Sequence, residues 1–175
     1  DQWLKLQDKD PFDYAKVERK IPASKELKVS FDLKAGQNNK GTLHIEFLDE
    51  NGIACSRIEL TDDGIFRLKG GSRFANMMKY EAGKIYHVEA VLSTVDRNIQ
   101  VYVDGKRVGL RMFYAPVAAV ERIVFRTGVP RTFPTVDTPA DQTYDLPNAG
   151  AQDPLAEYGI ANVKTSSTDK DASSA

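Results

Sequence analysis

With 175 residues, 41% hydrophobic and 28% charged, the chain has the length and composition of one globular domain with a full apolar core. Its 24 basic and 25 acidic side chains leave a net charge of −1, which excludes the basic excess of a general nucleic-acid binder and a purely charge-driven hold on anionic membranes. One cysteine, Cys55, excludes a disulfide scaffold but not secretion, and no apolar run is long enough for a membrane span.

Taken from the N-terminus, the sequence opens at Asp1 without a basic-then-apolar leader, as expected of a processed chain or a piece of a longer one. An early strand is expected at about 14–21, pairing near the last strand of the domain. From Glu26 to Lys34 apolar and polar residues alternate without a break, the pattern of a half-buried strand. Thr42–Phe47 repeats it, with Leu43, Ile45 and Phe47 on the inner side. Asp49-Glu50-Asn51-Gly52 then supplies hairpin chemistry, because Asn-Gly tolerates positive φ. The strand at about 54–60 buries Ile58 and Leu60 and shows Arg57 and Glu59. Cys55 near its start has no His or Asp arrangement that would make a thiolate nucleophile and is expected to pack. Asp62-Asp63-Gly64 turns the chain into Ile65–Leu68, and a loop is expected around Gly70–Gly83.

Two further alternating runs follow, Ile85–Leu92 and Asn98–Val103, joined by Ser93–Arg97 and followed by an Asp104-Gly105 turn. Strands are also expected at about 120–126 and 157–164. Regular short strands with no sustained helical period between them predict an all-β antiparallel sandwich. The stretch 130–154 holds five of the eight prolines and has no periodicity, so it reads as a long loop, functional or disordered. The domain is placed at 1–165, with 166–175 a polar tail or linker.

The segment Tyr80–Leu92, with Gly83-Lys84-Ile85-Tyr86-His87-Val88, followed by Tyr102-Val103-Asp104-Gly105-Lys106, resembles the recurring hairpin of concanavalin A-like and laminin-G-like jelly rolls. Glu157–Lys164 resembles the closing strand of that superfamily, which returns beside the N-terminal one. The resemblance covers roughly residues 10–165 in strand order. It implies an antiparallel β-sandwich jelly roll and an association with carbohydrate, as an accessory domain of a bacterial carbohydrate-active protein working outside the cell or in the periplasm. It implies little about activity, because one fold hosts many functions.

Glycoside hydrolases of this fold set two carboxylates two residues apart on one strand face. Here Glu46 shares its face with Leu48, while Asp49 and Glu50 fall at a hairpin tip, so Glu46 is only a weak catalytic candidate. No nucleophile elbow, phosphate loop or HExxH spacing is present, and His87 reads as a hydrogen-bonded strand residue. Lys28, Ser30, Asp32, His44, Glu46, Arg57, Glu59 and Arg67 project opposite the core residues. They would form one charged surface if their strands are neighbours. That surface is either an ordinary solvated face, a shallow groove in which His44, Arg57 and Arg67 meet an acidic glycan, or a contact with a neighbouring domain.

The aromatic pool for sugar stacking is Trp3, Tyr80, Tyr86, Tyr102, Phe113, Tyr114, Phe133 and Tyr144, with the loop residues Phe113 and Tyr114, and Phe133 or Tyr144, the better candidates. Asp137, Asp141 and Asp145, with Asn148 and Asp153, could supply oxygen ligands to calcium, although their spacing fits no EF-hand and a solvated Pro-rich loop explains them as well. The expected function is a noncatalytic carbohydrate-binding or structural module. The alternatives are a small glycoside hydrolase or lyase, and a laminin-G-type protein-interaction module.

Overall fold

The computed structural model describes residues 3–8, 15–70, 73–128 and 155–167. Among these residues run twelve strands and no helix: β1 (Leu4–Asp8), β2 (Lys16–Ser24), β3 (Glu26–Ala35), β4 (Leu43–Leu48), β5 (Ala54–Leu60), β6 (Ile65–Gly70), β7 (Arg73–Lys79), β8 (Ile85–Ser93), β9 (Asn98–Val103), β10 (Lys106–Met112), β11 (Val120–Thr127) and β12 (Ala156–Ser167). They form two six-stranded antiparallel sheets, ordered β1-β12-β3-β8-β9-β10 and β2-β11-β4-β5-β6-β7. We refer to these as the first and second sheets.

The alternation read from the sequence sets the inner faces. Val29, Phe31 and Leu33 of β3, Val88 and Ala90 of β8, and Ile99 and Val101 of β9 are fully buried between the sheets. They meet Leu43, Ile45 and Phe47 of β4, Ile58 of β5 and Phe66 and Leu68 of β6. Phe31 and Phe125 pack edge-on across the sandwich with ring centroids 5.2 Å apart, a geometry favoured by the ring quadrupoles. Cys55 joins this core and burial pushes its thiol pKa up, so it packs rather than reacts.

Turns fall where the sequence places them. Asp49 Oδ1 accepts from the amides of Asn51 and Ile53, each at 2.9 Å, and Gly52 takes the positive φ of 80° that closes the β4–β5 hairpin. Asp104 and Gly105 have φ of 51° and 84°, as a type I′ turn between β9 and β10 requires.

Several expectations are corrected. The loop expected around Gly70–Gly83 contains β7, and the chain after Asp104-Gly105 forms β10; β7 and β10 are both sheet edges. The early strand runs from Lys16 to Ser24 and pairs with β11 in the second sheet; the strand beside β12 is β1. The single charged surface does not exist, because Lys28, Ser30 and Asp32 lie on β3 in the first sheet, whereas His44, Glu46, Arg57, Glu59 and Arg67 lie on β4–β6 in the second. Finally, β4 and β5 are buried on both faces rather than half-buried. The closing strand, expected to end at 164, continues to Ser167.

Candidate functional site

Register assembles the charged residues of the second sheet into two rows across its outer face. Arg126 lies opposite His44, His44 opposite Glu59, Glu59 opposite Arg67, and Arg67 opposite Asn76. In the adjacent row Glu46 lies opposite Arg57, Arg57 opposite Lys69, and Lys69 opposite Phe74. Each step is a cross-strand neighbour, close enough for opposite charges to pair.

The interior of this lattice is sealed. Glu46 and Arg57 have no exposed surface, and Arg57 donates from Nε (3.0 Å) and Nη2 (2.8 Å) to the same Glu46 oxygen. Glu59 Oε1 accepts from Arg67 Nε at 3.0 Å and also from Nη2. Burial raises the Glu59 pKa, and the Arg67 charge and hydrogen bond pull against that rise. His44 Nδ1 sits 3.4 Å from Glu59 Oε2 but is misaligned for a hydrogen bond, and neither ring nitrogen has a hydrogen-bond partner among the described residues. Desolvation first, and then the charges of Arg57, Arg126 and Arg67, hold the imidazole pKa far below its usual value, so His44 is neutral. Glu46 and Glu59 are each fixed on a guanidinium. The lattice therefore supplies oriented charge rather than a proton shuttle.

Tyr114 lies over the other end of the patch. Its amide donates to the Cys55 carbonyl at 3.0 Å, and its ring lies 5.5 Å from the Arg57 guanidinium and 5.3 Å from Lys69 Nζ. It packs on the small apolar group Leu48, Ala54 and Val124. Its hydroxyl is buried without a hydrogen-bond partner among the described residues, and burial drives its pKa upward.

The patch opens at its β6–β7 end. The Arg67 side chain is one-third exposed (33%), and its guanidinium carbon stands 3.9 Å from the centroid of the Phe74 ring. Asn76 is exposed, and Lys69 and Phe74 are half-buried. Nε and Nη2 of Arg67 are taken by Glu59, which leaves Nη1 for a ligand.

The structure thus brings together Glu46, His44, Arg57, Arg67 and Tyr114, and presents only Arg67 of these to an open rim. Phe113 is half-buried against the main core, its amide donating to the Arg97 carbonyl at 2.8 Å. Tyr144, Phe133 and the calcium candidates Asp137, Asp141 and Asp145 lie outside the described residues. Among the described residues no group of three or more His, Cys, Asp or Glu is arranged to hold a metal. His87 is a hydrogen-bonded strand residue on the other sheet, its Nδ1 2.8 Å from Asp32 Oδ1. The hydrogen bond from Asn162, followed by that of His87, lowers the Asp32 pKa. Sequence reasoning missed Lys69, Phe74 and Asn76; alternation in Ile65–Lys69 carried a signal for Lys69, but nothing announced β7.

A model of the family described as "Sialidase-like, CBM domain" matches residues 1–142. A solved sialidase is 88% identical over 98% of this chain, with a TM-score of 0.84, and the chain spans 16% of that protein's length. The galectin LEC-6 of Caenorhabditis elegans is 13% identical over 94% of this chain and 95% of its own, with a TM-score of 0.54. The binding domain of botulinum neurotoxin DC, solved with rat synaptotagmin II, is 12% identical over 93% of this chain and 39% of its own, with a TM-score of 0.58. The last two likenesses are of fold. No curated protein sequence matches. On the match over residues 1–142, the chain belongs to the sialidase-like CBM domain family, and is an accessory carbohydrate-binding module built on an antiparallel β-sandwich.

Proposed function

We propose that this module binds an acidic glycan and holds it near the catalytic part of a sialidase-like protein, of which it forms one domain. The observation that carries the reading is the aromatic-backed guanidinium at the open rim. Arg67 is held by Glu59, lies on Phe74 and keeps Nη1 unused. A carboxylate on a sugar pairs with a planar guanidinium, and the apolar face of a pyranose packs on an aromatic ring. Because Arg67 is pinned by the buried lattice behind it, little ordering is left for the ligand to drive.

A partly exposed site of this kind is weak alone, and tethering to a catalytic domain raises its effective concentration. The solved sialidase extends well beyond the segment this chain matches, which supports a neighbouring domain. Acidic glycans of this sort lie outside the cytoplasm, so an extracellular or periplasmic workplace belongs to the same proposal.

The test is affinity electrophoresis in native gels cast with an acidic or a neutral polysaccharide. The proposal expects retardation in the acidic gel, reduced by Arg67→Gln and Phe74→Ala. Equal mobility in both gels contradicts it.

A further inference from the structure

We propose that the cleft where the sheet edges meet, between β7 and β10, is a second subsite that takes the carboxylate of an acidic saccharide. The inference deepens the acidic-glycan reading and rests on it. The cleft has a volume of about 380 Å³ and is lined by Leu68, Asn76, Met77, Arg107, Val108 and Arg111 among others, with no Asp or Glu in its described lining.

Backbone detail builds it. A Cβ on Gly70 would lie 2.7 Å from Cβ of Arg111, and one on Gly109 would lie 2.6 Å from Sδ of Met77. Both glycines therefore let the β10 edge and the Arg111 stem close against β6 and β7. The register of β10 on β9 shifts between Arg107 and Gly109. That bulge places Arg107 opposite Tyr102, on the outer face of the first sheet, and Arg111 opposite the core residue Ile99, on the inner face. Without it the two arginines would share a face. With it they border the cleft from two sides.

The two guanidiniums are lightly used. Arg107 Nη1 reaches only the Gln100 amide oxygen at 3.5 Å, and Arg111 Nη1 donates to the Leu110 carbonyl at 3.1 Å. Among the described residues neither has an ion-pair partner, whereas Arg57 and Arg67 are each seated on a glutamate. Two exposed forks over an acid-free cleft fit a carboxylate, with the half-buried Met77 and Val108 as an apolar wall for the ring and the Asn76 amide for a hydroxyl. Asn76 is also the cross-strand partner of Arg67. Asn76 thus belongs both to the cleft and to the row that ends at the Arg67 rim, and the inference extends to one oligosaccharide engaging both.

The test is isothermal titration of the chain with 3′-sialyllactose, tri-galacturonate, lactose 3′-sulfate and lactose. Wild type is compared with Arg107→Gln/Arg111→Gln and with Lys20→Gln/Lys40→Gln, which removes the same charge from exposed positions elsewhere. The inference expects binding of a carboxylated saccharide that weakens roughly tenfold or more in the arginine double variant, at unchanged melting temperature. The lysine control should change affinity less than about twofold, as screened distant charges do. Arg111→Lys should recover only part of the affinity, since an ammonium lacks the fork. Undiminished binding by the arginine variant, an equal loss in the lysine control, or binding of the sulfate but neither carboxylate overturns the subsite. Wild type that does not distinguish the charged saccharides from lactose overturns the acidic-glycan reading itself.

Discussion

Glu46→Gln separates a structural role for the buried lattice from a catalytic one. Glu46 is fully buried and receives two N–H bonds from Arg57 on a single oxygen, at 3.0 and 2.8 Å. The substitution keeps shape but removes the charge, so the Arg57 guanidinium stays buried beside a neutral amide. Breaking one side of a buried ion pair costs about 3–5 kcal/mol. For a chain of this size that lowers the melting temperature by roughly 6–20 °C. The assay is thermal and urea denaturation of wild type, Glu46→Gln and the double variant Glu46→Leu/Arg57→Met. The double variant should recover most of the loss, because an apolar pair of similar volume removes both desolvated charges together. A Glu46→Gln protein that melts with wild type would refute the reasoning, and one that also lost hydrolysis of a glycan would revive the catalytic reading of Glu46.

Three further outcomes are expected. Because His44 remains neutral in the fold while an unfolded histidine takes up a proton below its ordinary value of 6.5, the unfolded state binds more protons there and stability falls as pH drops from 6.5 toward the folded pKa. The slope, up to about 1.4 kcal/mol per pH unit, should appear in urea midpoints between roughly pH 6.5 and 5 and vanish in His44→Gln; an equal slope in both proteins contradicts it. Gly41 has a φ of 74°, and a Cβ there would sit 2.3 Å from Cβ of Ala156, so Gly41→Ala should cost about 2–4 kcal/mol by urea denaturation. An unchanged midpoint would show that β12 does not dock there as described. Tyr114→Phe removes a buried hydroxyl with no partner, so stability should be unchanged or rise by up to about 1 kcal/mol; a clear loss would reveal a partner for that oxygen.

The sequence was most legible where strands are central. In β3, β8 and β9 one face is core and the other half-open, so alternation in Glu26–Lys34, Ile85–Leu92 and Asn98–Val103 reports the pleat directly. It fades at the sheet edges. In β7 the apolar residues Phe74, Ala75, Met77 and Met78 follow no period of two, because its register on β6 shifts between Phe66 and Arg67 and both of its faces are partly exposed. The bulge in β10 blurs it in the same way. The lattice of His44, Glu46, Arg57, Glu59 and Arg67 was legible as a shared outer face. Its burial was not, since alternation separates two faces without saying whether distant chain covers the second. Nor does alternation say to which sheet a strand belongs, which is why Lys28, Ser30 and Asp32 were grouped with residues of the opposite sheet. The Arg107 and Arg111 pair depends on a bulge that leaves no sequence pattern of its own.

The central claim is recognition of charge on a sugar by this module. It is met most directly by titrating the wild-type chain with one acidic oligosaccharide and with the same oligosaccharide after its carboxyl groups have been reduced to alcohols. The account predicts saturable binding to the acidic form that weakens as salt is raised, and at least a tenfold lower affinity for the reduced form. Equal affinity for the two forms would contradict it.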